Sequence, residues 1–527
     1  MLASTVRRPT VITAIATGAI ALTAWACDPA PSEPAAADGQ PTASPEGSDG
    51  GDAGAIDAAV PTPADGEPAP TPADAAPAQR TATVPRPALD PRGATTALER
   101  ALLARVGATA ADSLELRRAS RAMMIYAEPS FGAKFRGKLP HGQSFAVFEH
   151  VDGDRECAGG RWARVGVAAF VCLEHTDARA KPPTELPRLA RGQLTPFYYA
   201  RVKRKDASGA HPAAPRWSSR TAMNAGAAPV DHLVPDHDYA FDYRRPSRGG
   251  AVLVDGAHRV VREADVRRLE PSAFAGRDVV ASPLPEQGRL AWSIAWPAAL
   301  VRADASPDAA VVGRLPLQAE LFVEDRVVRR RGVEWVAVVG ETAGWVDASE
   351  IRRWFEAARP DGIGDEELWI DVELEQQTLA VMLGDAPLFV TMIASGNHKH
   401  PTPQGIFRIK TKMATSTMDS QPGDEEAYAV EAVPWAQFFY KRYGLHGTFW
   451  HNRFGRRTSH GCVNLSARDA ALVYAMTTPD PLPGWQMAFE HAREPGTVVR
   501  VRKLDAAVTD RRNELETDDE AMLEAAR

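Results

Sequence analysis

The sequence predicts a multidomain, mainly β chain, with small barrel-like β modules in its middle and a β-rich domain with a few helices near its C-terminus. Three observations predict it. The chain has 527 residues, more than one hydrophobic core accommodates. Short strand-type runs with the same turn signals occur twice, around 129–171 and again around 306–346. Leu368 to Phe407 alternates as antiparallel strands do, with Gly384-Asp385 as a hairpin signal.

The first 26 residues read as an export signal. Arg7 and Arg8 precede an uncharged, mostly apolar run from Val11 to Ala26, shorter than the ~20 residues of a spanning helix. Cys27 follows Ala24-Trp25-Ala26, and that order resembles a bacterial lipoprotein processing site, which implies a lipid on Cys27 and a membrane anchor. Ordinary signal cleavage and an uncleaved anchor are the alternatives, and all three place the protein outside the cytoplasm. Residues 27–94 form a linker of Ala, Pro, Gly, Ser, Thr and acids. Between Asp28 and Arg80 ten acidic residues face one base, with Ile56 and Val60 the only sizeable aliphatics. Such a segment buries too little apolar surface to offset the entropy of ordering, so it is expected to be a disordered tether. The net charge of −7, with both signs mixed, gives no sign of a nucleic-acid partner.

Residues 95–118 are expected to be helical, since Leu98, Ala101, Leu102 and Val106 fall on one face, followed by Leu114 and Leu116. Then come two similar modules, 119–177 and 291–356. Gly137-Lys-Leu-Pro140 recurs as Gly313-Arg-Leu-Pro316, Trp162-Ala-Arg-Val165 as Trp335-Val-Ala-Val338, and Phe170-Val171 as Trp345-Val346. Short strands at this spacing suggest small barrels, and the two segments resemble bacterial SH3-like modules. Between them, 178–290 is β-rich, and Val260 to Leu269 echoes Val346 to Trp354, a possible degenerate third copy. The resemblance implies wall-targeting or spacing modules; their tryptophans serve equally well as core. Cys157 and Cys172 bracket a strand pair in the first module of an exported chain, so a disulfide is expected, two free thiols being the alternative.

The C-terminal domain spans 361–503, before an acidic tail over 504–527. Its chemistry-bearing stretch is Ser459-His460-Gly461-Cys462-Val463-Asn464, with Leu445-His446-Gly447-Thr448 upstream. A thiol beside glycine with histidines in reach is the material of a nucleophilic cysteine site, because the attacking thiolate needs a base. His446 and His460 are both candidates, and geometry alone does not choose between them. After the motif, Ser466 caps a helix with Asp469 in the capping-box position. Cys462 thus lies on a turn between strand and helix, where backbone N–H groups are free to face an oxyanion. Zinc bound by His446, His451, His460 and Cys462 is the rival chemistry; a catalytically silent, wall-peptide-binding domain is a third reading.

His446-Gly447, a dozen residues, then Ser-His-Gly-Cys-Val-Asn is similar to the signature of the L,D-transpeptidase (YkuD-type) catalytic domain. The likeness extends over roughly Glu367 to Val501, through Leu368-Trp-Ile-Asp-Val-Glu-Leu374, Gln377-Thr-Leu379, Ser395-Gly396, Thr402-Pro-Gln-Gly-Ile-Phe407 and Gly496-Thr-Val-Val-Arg-Val501. It implies Cys462 as nucleophile, His446 as its base, and the Gly447 carbonyl orienting the imidazole. It also implies an oxyanion hole from the amides of His460, Gly461 and Cys462, with the Tyr440 hydroxyl nearby. Ser459, His460 and Asn464 would shape the loop. Arg453, Arg456 and Arg457, with Trp450, flank the site and would meet the substrate's carboxylates unless they form a solvated loop. The implied substrate is the peptidoglycan stem peptide of the cell wall, and no cofactor or metal is called for. The implied reaction is release of D-alanine from a tetrapeptide and 3→3 cross-linking. Water as acceptor would make an L,D-carboxypeptidase and a protein lysine an attachment enzyme. Acylation by carbapenems is implied as well.

Overall fold

The computed structural model describes residues 113–504 apart from Arg179, Arg191 and 421–427. The export signal, Cys27, the linker, most of the expected 95–118 helix and the acidic tail lie outside the described residues. What is described of that helix segment is a strand instead. Glu115–Ala119 pairs antiparallel with Ser144–Val147 and with Thr176–Asp177. Leu114 and Leu116 stand two apart, the strand period, and Leu114 is exposed. A sheet with two partners offers this segment more than a solitary helical turn.

A strand, one 3₁₀ turn and a second strand recur three times. They are Ala169–Cys172, Leu173–His175 and Thr176–Asp177; Val260–Arg262, Glu263–Asp265 and Val266–Leu269; and Gly344–Asp347, Ala348–Glu350 and Ile351–Arg353. The echo read at 260–269 therefore has a structural counterpart. In the first module Cys157 and Cys172 form a disulfide, with Cα atoms 5.7 Å apart. Trp162 is register partner of Cys172 and fully buried beside the bridge. Trp335 is buried too, so both tryptophans are core residues.

The modules are not beads on a string. One hydrogen-bonded path of strands begins in the middle region with Val266–Leu269, Tyr198–Val202 and His237–Phe241. It passes through Ala429–Tyr440, Thr411–Asp419 and Met487–Phe489 of the C-terminal domain and ends in the first module, entered at Phe135–Leu139. His237 and Asp238 pair in parallel with Ala429 and Val430, while Gly137 and Lys138 pair with Ala488 and Met487. Beside the second junction Arg136, almost wholly buried, donates to Glu494 at 2.5 Å.

The C-terminal domain adds a six-stranded sheet containing Leu368–Glu373, Thr378–Leu383, Ala386–Met392, Gly405–Arg408 and Val498–Arg502. Its alternating apolar side chains meet the other sheet and the helix Ala467–Met476 in a core of Ile370, Val381, Phe439, Leu445, Val463 and Val473. Ser466 caps that helix by accepting from the Asp469 N–H at 3.1 Å. Lys412, nearly fully buried, closes the other end by donating to the carbonyls of Tyr474 and Thr477 at 2.6 and 2.9 Å. A cation there answers the helix dipole.

Candidate active site

Two short parallel strands branch from the long path: Tyr443–Thr448, which carries His446, and Val463–Ser466, which Cys462 directly precedes. His446 is register partner of Asn464, and side chains two residues apart share a face. Cys462, Asn464 and His446 accordingly line one cavity of about 780 Å³.

The turn before Cys462 is held from several sides. The Gly461 N–H donates to Ser459 Oγ at 3.0 Å, and the Ser459 hydroxyl donates to the Cys462 carbonyl at 2.6 Å. Thr402 Oγ1 donates to the Gly461 carbonyl at 2.7 Å and accepts from the Gly396 N–H at 2.9 Å. Ser395 is fixed by Gln377, whose amide both donates to its Oγ and accepts its N–H, at 2.6 and 2.8 Å. The Ser395-Gly396 and Thr402 positions of the family pattern thus form a shelf under the loop. Gly461 has φ +111°, a conformation side chains rarely adopt, and a Cβ there would strike the Tyr443 ring.

His446 is buried and its Nδ1 faces the Gly447 carbonyl at 3.3 Å, which leaves Nε2 as the nitrogen for other work. Burial lowers its pKa to about 4, a shift the Gly447 carbonyl only partly opposes. Burial pushes the Cys462 thiol up, against smaller opposing effects from the Gly444 backbone and Arg442, and Sγ donates to the Arg442 carbonyl at 3.6 Å. Both shifts favour the neutral forms, a thiol at Cys462 and an imidazole at His446. A Cβ at Gly447 would lie 3.1–3.2 Å from Trp435 and Pro434, so the strand has little room for a larger residue there.

The other expected residues separate. Trp450 lines the cavity and stacks on His446, centroids 5.8 Å apart. His460 is exposed at the rim between Tyr428 and His400, with ring centroids 5.0 and 4.7 Å away. Asn464 Nδ2 pairs with His451 Nε2 at 3.0 Å, fixing the loop from the helix side. In this structure the Gly461 N–H points to Ser459 Oγ and not into the cavity. Tyr440 is exposed and stands off the cavity; Tyr443 is the ring that meets Gly461, with Tyr440 stacked on it at 6.2 Å. The two tyrosines flank a tight turn at Lys441-Arg442, where Lys441 has φ 45°. Lys-Arg lacks the Asn-Gly signal of such turns, which hid the hairpin in the sequence.

Arg453, Arg456 and Arg457 do not line the cavity either. Arg456 donates to the Ile294 carbonyl at 3.0 Å and Arg457 to the Leu374 carbonyl at 3.2 Å, so both brace structure. The arginines that do line it are Arg442 and, from the middle region, Arg201. Among the described residues no cluster of three His, Cys, Asp or Glu is placed to hold a metal ion.

Residues 367–501 match the model of the YkuD family, the L,D-transpeptidase catalytic domain. This segment is an L,D-transpeptidase catalytic domain. Solved structures similar to the chain include L,D-transpeptidases. One from Enterococcus faecium shares 24% identity over 27% of this chain and 50% of its own, with a TM-score of 0.21. One from Mycobacterium smegmatis shares 22% over 45% and 89%, with a TM-score of 0.22. L,D-transpeptidase 3 from Mycobacterium tuberculosis, with a faropenem-derived adduct, shares 19% over 38% and 78%, also at 0.22. This chain spans half the length of the Enterococcus faecium protein. A comparison with curated proteins gives no match. Within the L,D-transpeptidase domain, the matched residues contain His446, Cys462 and the whole shelf beneath them.

Proposed function

We propose that the chain is a peptidoglycan L,D-transpeptidase that works by cysteine acyl transfer. The observation that carries this is His446 on one strand and Cys462 just before the parallel strand beside it, both lining one cavity, with Nδ1 of His446 turned to the Gly447 carbonyl. The family match over 367–501 supports the substrate class.

The thiol gives its proton to Nε2 of His446 as sulfur attacks the carbonyl carbon of the third stem residue. A carbon–sulfur bond forms. The carbon–nitrogen bond to the terminal D-alanine then breaks, with the proton passing from His446 to the departing amine. The amides of His460 and Cys462 would receive the oxyanion. An acceptor amine next attacks the thioester, the carbon–sulfur bond breaks, and the proton returns to the thiol. With a diamino acid of a second stem as acceptor, the product is a 3→3 cross-link. The signal-like N-terminus and Cys27 support an exported, membrane-anchored enzyme of the cell envelope.

Mass spectrometry of purified wall fragments incubated with the protein tests the reaction. Cross-linked 3→3 dimers are expected with the intact chain and absent with Cys462→Ala. Tripeptides alone would mark water as the acceptor and exclude cross-linking.

A further inference from the structure

One wall of the cavity beside Cys462 comes from outside the L,D-transpeptidase domain. Arg201, Asp236 and Asp238 of the middle region line it. Asp238, 2% exposed, accepts from Arg201 Nε and Nη2, both at 2.6 Å. That two-pronged grip fixes the plane of a guanidinium that is itself 35% exposed.

A second arginine sits beside the first. Arg267 is register partner of Arg201 across the antiparallel pair Val266–Leu269 and Tyr198–Val202. Like charges directly opposite one another destabilise a sheet, and the buried Asp238 carboxylate acts on both. Arg267 Nε is buried with no hydrogen-bond partner among the described residues. Packing does not call for this pair, because Tyr199 and Leu269 on the same strands already supply the apolar contact to the catalytic domain. Arg442 is the other arginine that lines the cavity. Asp236 and Asp419 line it as well, so a bulk positive field is not what the wall offers; it offers an oriented fork.

We propose that Arg201, backed by Arg267, is a specificity-determining subsite for a substrate carboxylate, so that the middle region takes part in substrate recognition. This rests on the transpeptidase reading above, since stem peptides carry free carboxylates. A planar fork held by a buried aspartate matches a carboxylate bidentately, and lysine does not reproduce that geometry.

The test is calorimetric titration of the full chain carrying Cys462→Ala, which binds without turnover. The probes are a tetrapeptide stem with free carboxylates and its fully amidated form. The free acid is expected to bind roughly tenfold or more tightly than the amide. Arg267→Gln, and the paired change Arg201→Gln with Asp238→Asn, should shrink that ratio toward one by weakening the acid more than the amide. The paired change avoids stranding a buried carboxylate. Tetrapeptides amidated at one carboxylate at a time then say whether the leaving alanine or a side-chain carboxylate is held. Equal loss for acid and amide would mark the arginines as structural and overturn the proposal. So would an unchanged ratio, or no binding of any stem. A chain that binds the acid through Arg201 but, with Cys462 intact, releases no D-alanine would keep this inference and lose the catalytic one.

Discussion

Tyr199, from the middle region, lies flat on Phe449 of the L,D-transpeptidase domain, their ring centroids 3.4 Å apart and their planes 10° from parallel. The Tyr199 hydroxyl donates to the Ala432 carbonyl at 2.7 Å. With Leu269, Val430 and Val433 the two rings make a core that belongs to neither part alone.

A chain cut to 361–504 is therefore expected to behave poorly. It loses the strand His237–Phe241 from the edge of Ala429–Tyr440 and exposes Phe449. Removing the buried ring in the intact chain, by Tyr199→Ala, should cost about 3–5 kcal/mol, in the range of large aromatic truncations. Urea unfolding checks both. A 361–504 fragment as stable as the intact chain would show the interface to be incidental.

The neutral thiol–imidazole pair has a kinetic consequence. With His446 at about 4 and the Cys462 thiol raised, little thiolate exists at pH 7. Alkylation of Cys462 by iodoacetamide should climb steadily to alkaline pH with no plateau near neutrality. His446→Gln should lower turnover by roughly two to four orders of magnitude, the usual worth of a general base. A thiol fully reactive at pH 6 would mean a preformed ion pair.

Lys412 is buried with its ammonium on two helix-terminal carbonyls and 4.2 Å from the centroid of the Tyr474 ring. Lys412→Met keeps most of the volume and removes the donors. A loss of about 1–3 kcal/mol is expected from the stranded carbonyls, measured by thermal unfolding. An unchanged Tm would assign Lys412 no capping role.

Asp469 accepts from Thr391 Oγ1 at 2.6 Å and from the Gly276 N–H at 3.1 Å, tying the helix to a strand and to the middle region. Burial raises its pKa from 3.8 to about 6, against those hydrogen bonds. The folded state holds the proton more tightly than the unfolded one, so the Asp469 contribution to stability grows as pH falls from about 6 toward 3.8. His446 and His451, both lowered from 6.5 to about 4, act oppositely over the same range. The comparison that isolates Asp469 is therefore wild type against Asp469→Asn in urea at pH 4, 5.5 and 7. The wild type should gain on the variant as pH falls; parallel curves would contradict the shift.

The L,D-transpeptidase domain was legible because its signals are local. His446, Cys462, the Ser466 cap and the flanking strands each announce themselves within a few residues. What was hidden depends on contacts between distant segments. Arg201 and Asp238 sit in ordinary strand sequence and gain meaning only where His237–Phe241 adds to Ala429–Tyr440. The family likeness points to Tyr440, whereas the ring against Gly461 is that of Tyr443, because spacing alone cannot say which ring a hairpin turns toward a loop. Arg456 and Arg457 looked like substrate anchors, yet the carbonyls of Ile294 and Leu374 that occupy them are 162 and 83 residues away. Leu114 and Leu116 fit a helix and a strand equally until Ser144–Val147 supplied a partner.

The acyl-enzyme itself is the most direct test. The intact chain mixed with a tetrapeptide stem, quenched in acid and digested, should carry a tripeptide acyl group on the peptide containing Cys462, with one D-alanine released for each group bound. Cys462→Ala should show neither the adduct nor the release. D-alanine released at the normal rate by Cys462→Ala, with no thioester on the wild type, would contradict the assignment of Cys462 as the nucleophile.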